Sequence, residues 1–386
     1  MGQLLSSEED LSRIKRAIGA LLYRTMLVGG AIPDLGVVHP LLLTNQDEDC
    51  RSRLQEQLLQ LQGNIGNKAP TYLRDLIGRL SSFSDEPRLA GLLGLAVTMV
   101  MDMLYMSFKQ SSGGKVKAAG SSSCQRVWEL QEVMEEYLKR CRINLSDKTR
   151  LIQDSLRLEG QLSLGLTQLK TCLLGGDCDS RSLRFWASGA AFHTQMLVHL
   201  AGMEGREEPL AARAVLEQYK EDLAQIVPSF RRFKSNTVGV VKSRGGLPLP
   251  CEGPEEGAMT GITLTDRESG KSASVTLAAM QAEIAPLSPS LNLDVVTSDR
   301  YAQAYVEQLF SEEGPVAELK NYFNKASDKL RGLRTGPPGC PSVACDGKET
   351  GRCPRVPAEG MHEGHASEKG EREEDLKLSI VETQMM

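Results

Sequence analysis

Residue types whose spacing could do chemistry occur at Gly270-Lys271-Ser272, in a run of cysteines and histidines near the C-terminal end, and in MGQLLS at the start. A phosphate-binding loop needs a further glycine five residues before Gly270, where the backbone must curl around phosphate. That position is Thr265, inside an alternating apolar and polar run, so nucleotide binding is not expected. Cys340, Cys345, Cys353, His362 and His365 are separated by four, seven, eight and two residues, which matches no structural-zinc spacing. His193 and His199 are six residues apart on one expected helix and so point in different directions. His-Glu-x-x-His and Gly-x-Ser-x-Gly are both absent. Cys172 and Cys178 flank Gly175-Gly176, a place for packing around a helix end. The expectation is a non-catalytic protein with no catalytic residue, no metal and no cofactor.

The N-terminus carries the clearest chemistry. MGQLLS fits the N-myristoylation pattern, with Gly2 exposed once Met1 is removed and Ser6 at the favoured position. Ser6 and Glu9 also have capping-box spacing, so the same residues can open a helix. One myristoyl chain binds a membrane only marginally and needs a second signal. Arg13, Lys15 and Arg16 on the following helix are candidates for it, with Phe230, Arg231, Arg232, Phe233 and Lys234 as a second basic and aromatic cluster. Basic residues close to an anionic leaflet each contribute about 1 kcal/mol. The expected partners are therefore an anionic membrane surface and a protein not identified by the sequence, on the cytosolic face. Nucleic acid is not favoured, since the formal net charge is −5. The sequon Asn144-Leu145-Ser146 matters only in the secretory pathway, and entry to that pathway is not expected, since the first residues turn acidic at Glu8-Glu9-Asp10 instead of running into an apolar stretch.

These residues must be positioned by helices. Only 5% of the chain is aromatic, and leucine and methionine carry the apolar load, which leans all-α. The most apolar stretch is Leu89–Phe108, expected as the central helix of a multi-helix bundle. Gly91, Gly94, Thr98, Asp102, Tyr105 and Lys109 form a small or polar stripe along it. A helix of that length could also cross a bilayer, so a membrane-inserting, pore-forming protein is the alternative. Asp102 disfavours it, because a charge at the bilayer centre is costly.

In chain order, residues 1–5 are the lipidation arm and 6–228 the helical bundle. Its first helix places Leu11, Ile14, Ile18, Leu21, Leu22 and Met26 on one face. Further helices are expected over 47–62, after Pro70, over 124–145, over 147–174, from Ser180, and from Pro209 until Pro228 ends it. Residues 229–300 are a connector, basic at first and then rich in Gly, Pro and Ser. A lone hairpin is expected within it at 262–277, around RESGKS. Residues 301–334 form a short helical extension broken at Gly314-Pro315, and 335–386 a disordered tail.

Overall fold

The computed structural model describes residues 8–37, 122–144, 146–245, 257–288 and 291–335. Among these the fold is mostly helical, with eight α-helices and a three-stranded antiparallel sheet in the C-terminal region. The helices are α1 (Glu8–Val28), α2 (Ser122–Ile143), α3 (Lys148–Leu174), α4 (Ser180–Met203), α5 (Leu210–Thr237), α6 (Leu277–Ile284), α7 (Ser298–Leu309) and α8 (Pro315–Gly332). The strands are β1 (Val238–Arg244), β2 (Met259–Asp266) and β3 (Lys271–Thr276). The expected central helix Leu89–Phe108, the helices over 47–62 and after Pro70, and the tail beyond Thr335 lie outside the described residues.

A first core gathers α2, α3, α4, α5 and α8. Along α3, Leu151, Leu158, Leu162, Leu166, Leu169 and Leu173 recur at helical spacing and are all buried. Its ends follow local chemistry. Asp147 accepts from the Arg150 N–H at the start, and Gly176 takes φ +115° beyond the last turn. Among the described residues, α4 is the helix enclosed on nearly every side, with Phe185 to Ala201 continuously buried. Small residues allow this close approach. A Cβ on Gly189 would lie 2.6 Å from Leu130 Cδ2 and 3.0 Å from Leu166 Cδ2.

A second core lies between the sheet and α1, α6 and α7. Val238, Val240, Ile262, Leu264 and Val275 share the inward face of the sheet and meet Ile14, Ile18, Leu22 and Met26 of α1 in the same cluster. The outward face is mostly polar, with Val241 exposed on it. Thr263 and Ser274 are hydrogen-bonded at 2.9 Å, and Thr265 and Ser272 at 2.8 Å. Phe310 packs against both cores, its ring centroid 5.5 Å from that of Phe230.

The hairpin read from the alternating pattern is present, with Ile262 opposite Val275 and Thr265 opposite Ser272. It is not alone, because VGVVKSR, assigned above to a basic connector, adds β1 along β2. Isolated hairpins are marginal in water, and the third strand and covering helices supply the missing burial. The expected bundle boundary also moves. Helix α1 packs on the sheet side, whereas α8, read as an extension, contributes Val316, Leu319, Phe323 and Leu330 to the bundle core. Amphipathic spacing shows that a face must be covered without saying by what.

Pro228 does not end α5, which continues to Thr237. Proline removes one backbone bond to the carbonyl four residues earlier, here Ala224. Both Pro228 and Ala224 are exposed, so water can satisfy that carbonyl at the solvent side of the helix.

Candidate functional site

The last turn of α5, the β2–β3 turn and the first turn of α4 meet in a buried charged cluster. Lys234 Nζ lies 2.6 Å from Asp266 Oδ2 and 2.6 Å from Glu268 Oε2, and its side chain is 0% exposed. Glu268 also accepts from the Ser180 N–H at 2.6 Å and the Ser180 hydroxyl at 2.8 Å. Ser180 opens α4, so the hairpin turn delivers negative charge to the positive end of that helix dipole. Asp179, the N-cap, accepts from the Ser182 N–H at 2.7 Å. Burial raises the Asp179 carboxyl above its ordinary range, the Glu268 carboxylate adds to this, and the Ser182 hydrogen bonds oppose it. Burial first, and the Asp179 and Glu268 carboxylates next, push the neighbouring Cys178 thiol up to about 12. That thiol stays protonated and is no nucleophile.

Gly270-Lys271-Ser272 belongs to the same hairpin and has structural partners. Gly270 takes φ +66° at the turn, and Ser272 bonds Thr265. Lys271 Nζ reaches the carbonyls of Gly30 at 2.6 Å and Gly29 at 3.2 Å, just past the end of α1. A cation there complements the negative end of the helix.

The second polar arrangement lies within the bundle. His193 of α4 is fully buried, with Nε2 3.0 Å from Glu159 Oε1 of α3 and Nδ1 2.5 Å from the Tyr219 hydroxyl of α5. The bond to His193 is the main cause that lowers the Glu159 carboxyl below its ordinary range. An ionised Glu159 accepts from Nε2–H, which leaves Nδ1 to accept from Tyr219. His199 faces elsewhere and bonds the Tyr137 hydroxyl of α2 at 2.6 Å. This matches the different directions read from their spacing.

Glu159→Gln tests the carboxylate's part in this chain. A depressed carboxyl contributes stability that is present above its unfolded pKa, about 4.3, and is lost as pH falls through the folded value. The variant is expected to be less stable than the parent at pH 7. The difference should shrink as pH drops below about 4, as read from urea midpoints across a pH series. A difference that does not change with pH would assign the loss to packing.

The membrane-contact candidates are only partly available. Arg13, Arg16, Arg231 and Arg232 are exposed. Lys15 is half-buried, with Nζ 2.5 Å from Glu307. Two candidates require correction: Phe230 is 1% exposed in the bundle core, and Lys234 is the buried cation described above. Both fall on the face of α5 that carries Leu216, Leu223 and Ile226, where helical periodicity turns them inward. Phe233 is half-buried against the same core. Gly2 lies outside the described residues, as do Cys340, Cys345, Cys353, His362 and His365.

The structure also brings one residue of each basic cluster, more than 200 positions apart in the chain, to the end of α7. Lys15, in the second turn of α1, pairs with Glu307 near the end of α7, and the Arg231 guanidinium lies 5.1 Å from the ring centroid of Phe310, just past that end. No helix among the described residues is long and apolar enough to cross a membrane. Comparison with models of protein families, with curated proteins and with solved structures finds no match.

Proposed function

We propose that this chain is a non-catalytic, N-myristoylated adaptor or regulator that works at the cytosolic face of an anionic membrane. The observation that carries the reading is the position of α1 directly after MGQLLS. Its apolar face is already spent on the sheet, through Ile14, Ile18, Leu22 and Met26, while Arg13 and Arg16 near its start point to solvent. A helix committed in this way cannot lie apolar-side-down in a bilayer, so the anchor falls to an acyl chain on Gly2. Arg13 and Arg16, with Arg231 near the end of α7, then supply the second signal that one myristoyl group needs. Glu312 and Glu313 are also exposed just beyond that end and weaken the local positive field, which leaves the acyl chain as the main contributor.

Non-catalytic function is supported by where the reactive side chains sit. His193 and Tyr219 are enclosed and bonded to each other, and the Cys178 thiol is held protonated.

Gly2→Ala is expected to move most of the protein from the membrane pellet to the supernatant when cells are fractionated. Arg13→Gln combined with Arg16→Gln should cost about thirtyfold in binding to phosphatidylserine vesicles, at about 1 kcal/mol per basic residue. A Gly2→Ala protein that stayed in the pellet would overturn the anchor.

A further inference from the structure

We propose that the outward face of α3 is the docking surface for the apolar segment Leu89–Phe108 of the same chain. The face runs through Leu156, Gly160, Leu164, Thr167, Thr171 and Leu174, spaced by three or four residues so that they form one stripe. Leu156 is 50% exposed, Leu164 58% and Leu174 38%, three large apolar side chains on the solvent side of a single helix. A Cβ on Gly160 would meet nothing within 4 Å, which leaves a shallow notch between Leu156 and Leu164.

What marks this stripe as built for burial is the state of its polar groups. The Thr167 hydroxyl donates to the Ser163 carbonyl at 3.0 Å, and the Thr171 hydroxyl to the Thr167 carbonyl at 3.0 Å. Covering them therefore strands no donor. Of the three charged residues between Leu156 and Leu174, Glu159 is tied inward to His193 and Lys170 to Asp222 at 2.7 Å, while Arg157, at the edge of the stripe, is 54% exposed and lies 3.6 Å from Asp154. Solvated helix faces ordinarily carry charge along their whole length, and beyond Arg157 this stripe carries none.

The occupant follows from where the chain leaves and returns. Asp34 pairs with Arg184 of α4 at 3.1 Å, and Val37 is buried in the bundle core. The chain comes back at Ser122, whose hydroxyl donates to Asp177 at 3.0 Å, three residues beyond the end of α3. Residues 109–121, thirteen in all, can span up to about 45 Å from that point. As a helix, Leu89–Phe108 would be about 30 Å long, and the stripe from Leu156 to Leu174 is about 27 Å. Lengths match, the tether reaches, and both surfaces are sparsely charged, with Arg157 at the edge of the α3 stripe and Asp102 the one charged residue in the segment's sequence. A tether of this length gives an effective concentration in the millimolar range, well above that of a second molecule in solution.

The test is hydrogen–deuterium exchange on the full-length chain, comparing the parent with Leu156→Arg/Leu164→Arg. Amides of residues 89–108 should be protected in the parent and exchange at least tenfold faster in the variant, with the thermal midpoint of the bundle retained. If the double arginine variant fails to fold, Leu156→Gln/Leu164→Gln makes the same comparison with a smaller change. Unprotected amides at 89–108 in the parent, or equal protection in both proteins, would overturn the proposal. So would a parent that is dimeric and a variant that is monomeric with exchange at 89–108 unchanged, because the face would then serve a second copy.

Discussion

Replacing Lys234 by methionine is expected to lower the free energy of unfolding by about 3–5 kcal/mol, the range for breaking a buried ion pair from one side. Methionine keeps most of the apolar stem and removes the ammonium, so the loss reports charge more than volume. The carboxylates left behind are unequal. Asp266 is 1% exposed and bears the greater part of the penalty, whereas Glu268 is 18% exposed and keeps its bonds from Ser180. Adding Asp266→Asn and Glu268→Gln to the same chain removes the uncompensated charge and should restore a large part of the stability. Urea denaturation followed by far-ultraviolet circular dichroism measures all three proteins. A single variant within about 1 kcal/mol of the parent, the range for exposed pairs, would mean that water reaches the carboxylates and the cluster is not a closed one.

Trp186→Ala should cost a similar amount, about 3–5 kcal/mol, by opening a large cavity beside the most enclosed helix. Trp186 is fully buried between Tyr219, edge-on at a centroid distance of 5.9 Å, and Phe323 of α8, tilted at 6.2 Å. Its indole Nε1 has no hydrogen-bond partner among the described residues. Trp186→Phe should therefore lose much less, since removing an unpaired donor offsets part of the lost packing. Tyr219 links this position to the His193 chain, so Trp186→Ala combined with Glu159→Gln should depart from the sum of the single effects. Strict additivity in denaturation midpoints would show that the tryptophan does not position Tyr219.

Much of the helical part was legible because its signals are local and long. The leucines of α3 recur at an unbroken helical period, Asp147 and Gly175-Gly176 bound the helix, and Gly314-Pro315 marks the break before α8. The hairpin was legible from its alternation. Less visible were the facts that depend on partners distant in sequence. VGVVKSR reads as a basic linker until β2 lies beside it, and nothing local in α1 reveals that its apolar face meets a sheet instead of helices. Pro228 misled because the cost of an interior proline depends on which side of the helix faces water.

The charged cluster did leave one trace in the sequence. Lys234 stands four residues after Phe230 and eight after Ile226, on the stripe that is otherwise apolar. A lone cation in that register must find an acid or remain outside. Its composition beside Arg231 and Arg232 suggested the surface, but periodicity was the better guide. Asp266 and Glu268 were hidden in a polar turn of ordinary composition. The Glu159–His193–Tyr219 chain had no sequence signal at all, since its three members come from three helices and meet only through packing.

The distribution of indoles in this fold gives it an optical asymmetry. The chain has two tryptophans, Trp128 and Trp186, and both belong to helices of the bundle. The sheet side contains Tyr23, Tyr301 and Tyr305 but no indole among its described residues. Emission excited at the red edge of the absorption band therefore watches the bundle alone, while far-ultraviolet ellipticity collects signal from both cores. If Lys234 and its two acids fasten the cores into one cooperative unit, the two readouts will trace a single melting curve. In Lys234→Met the ellipticity should begin to fall while the indole emission is still native.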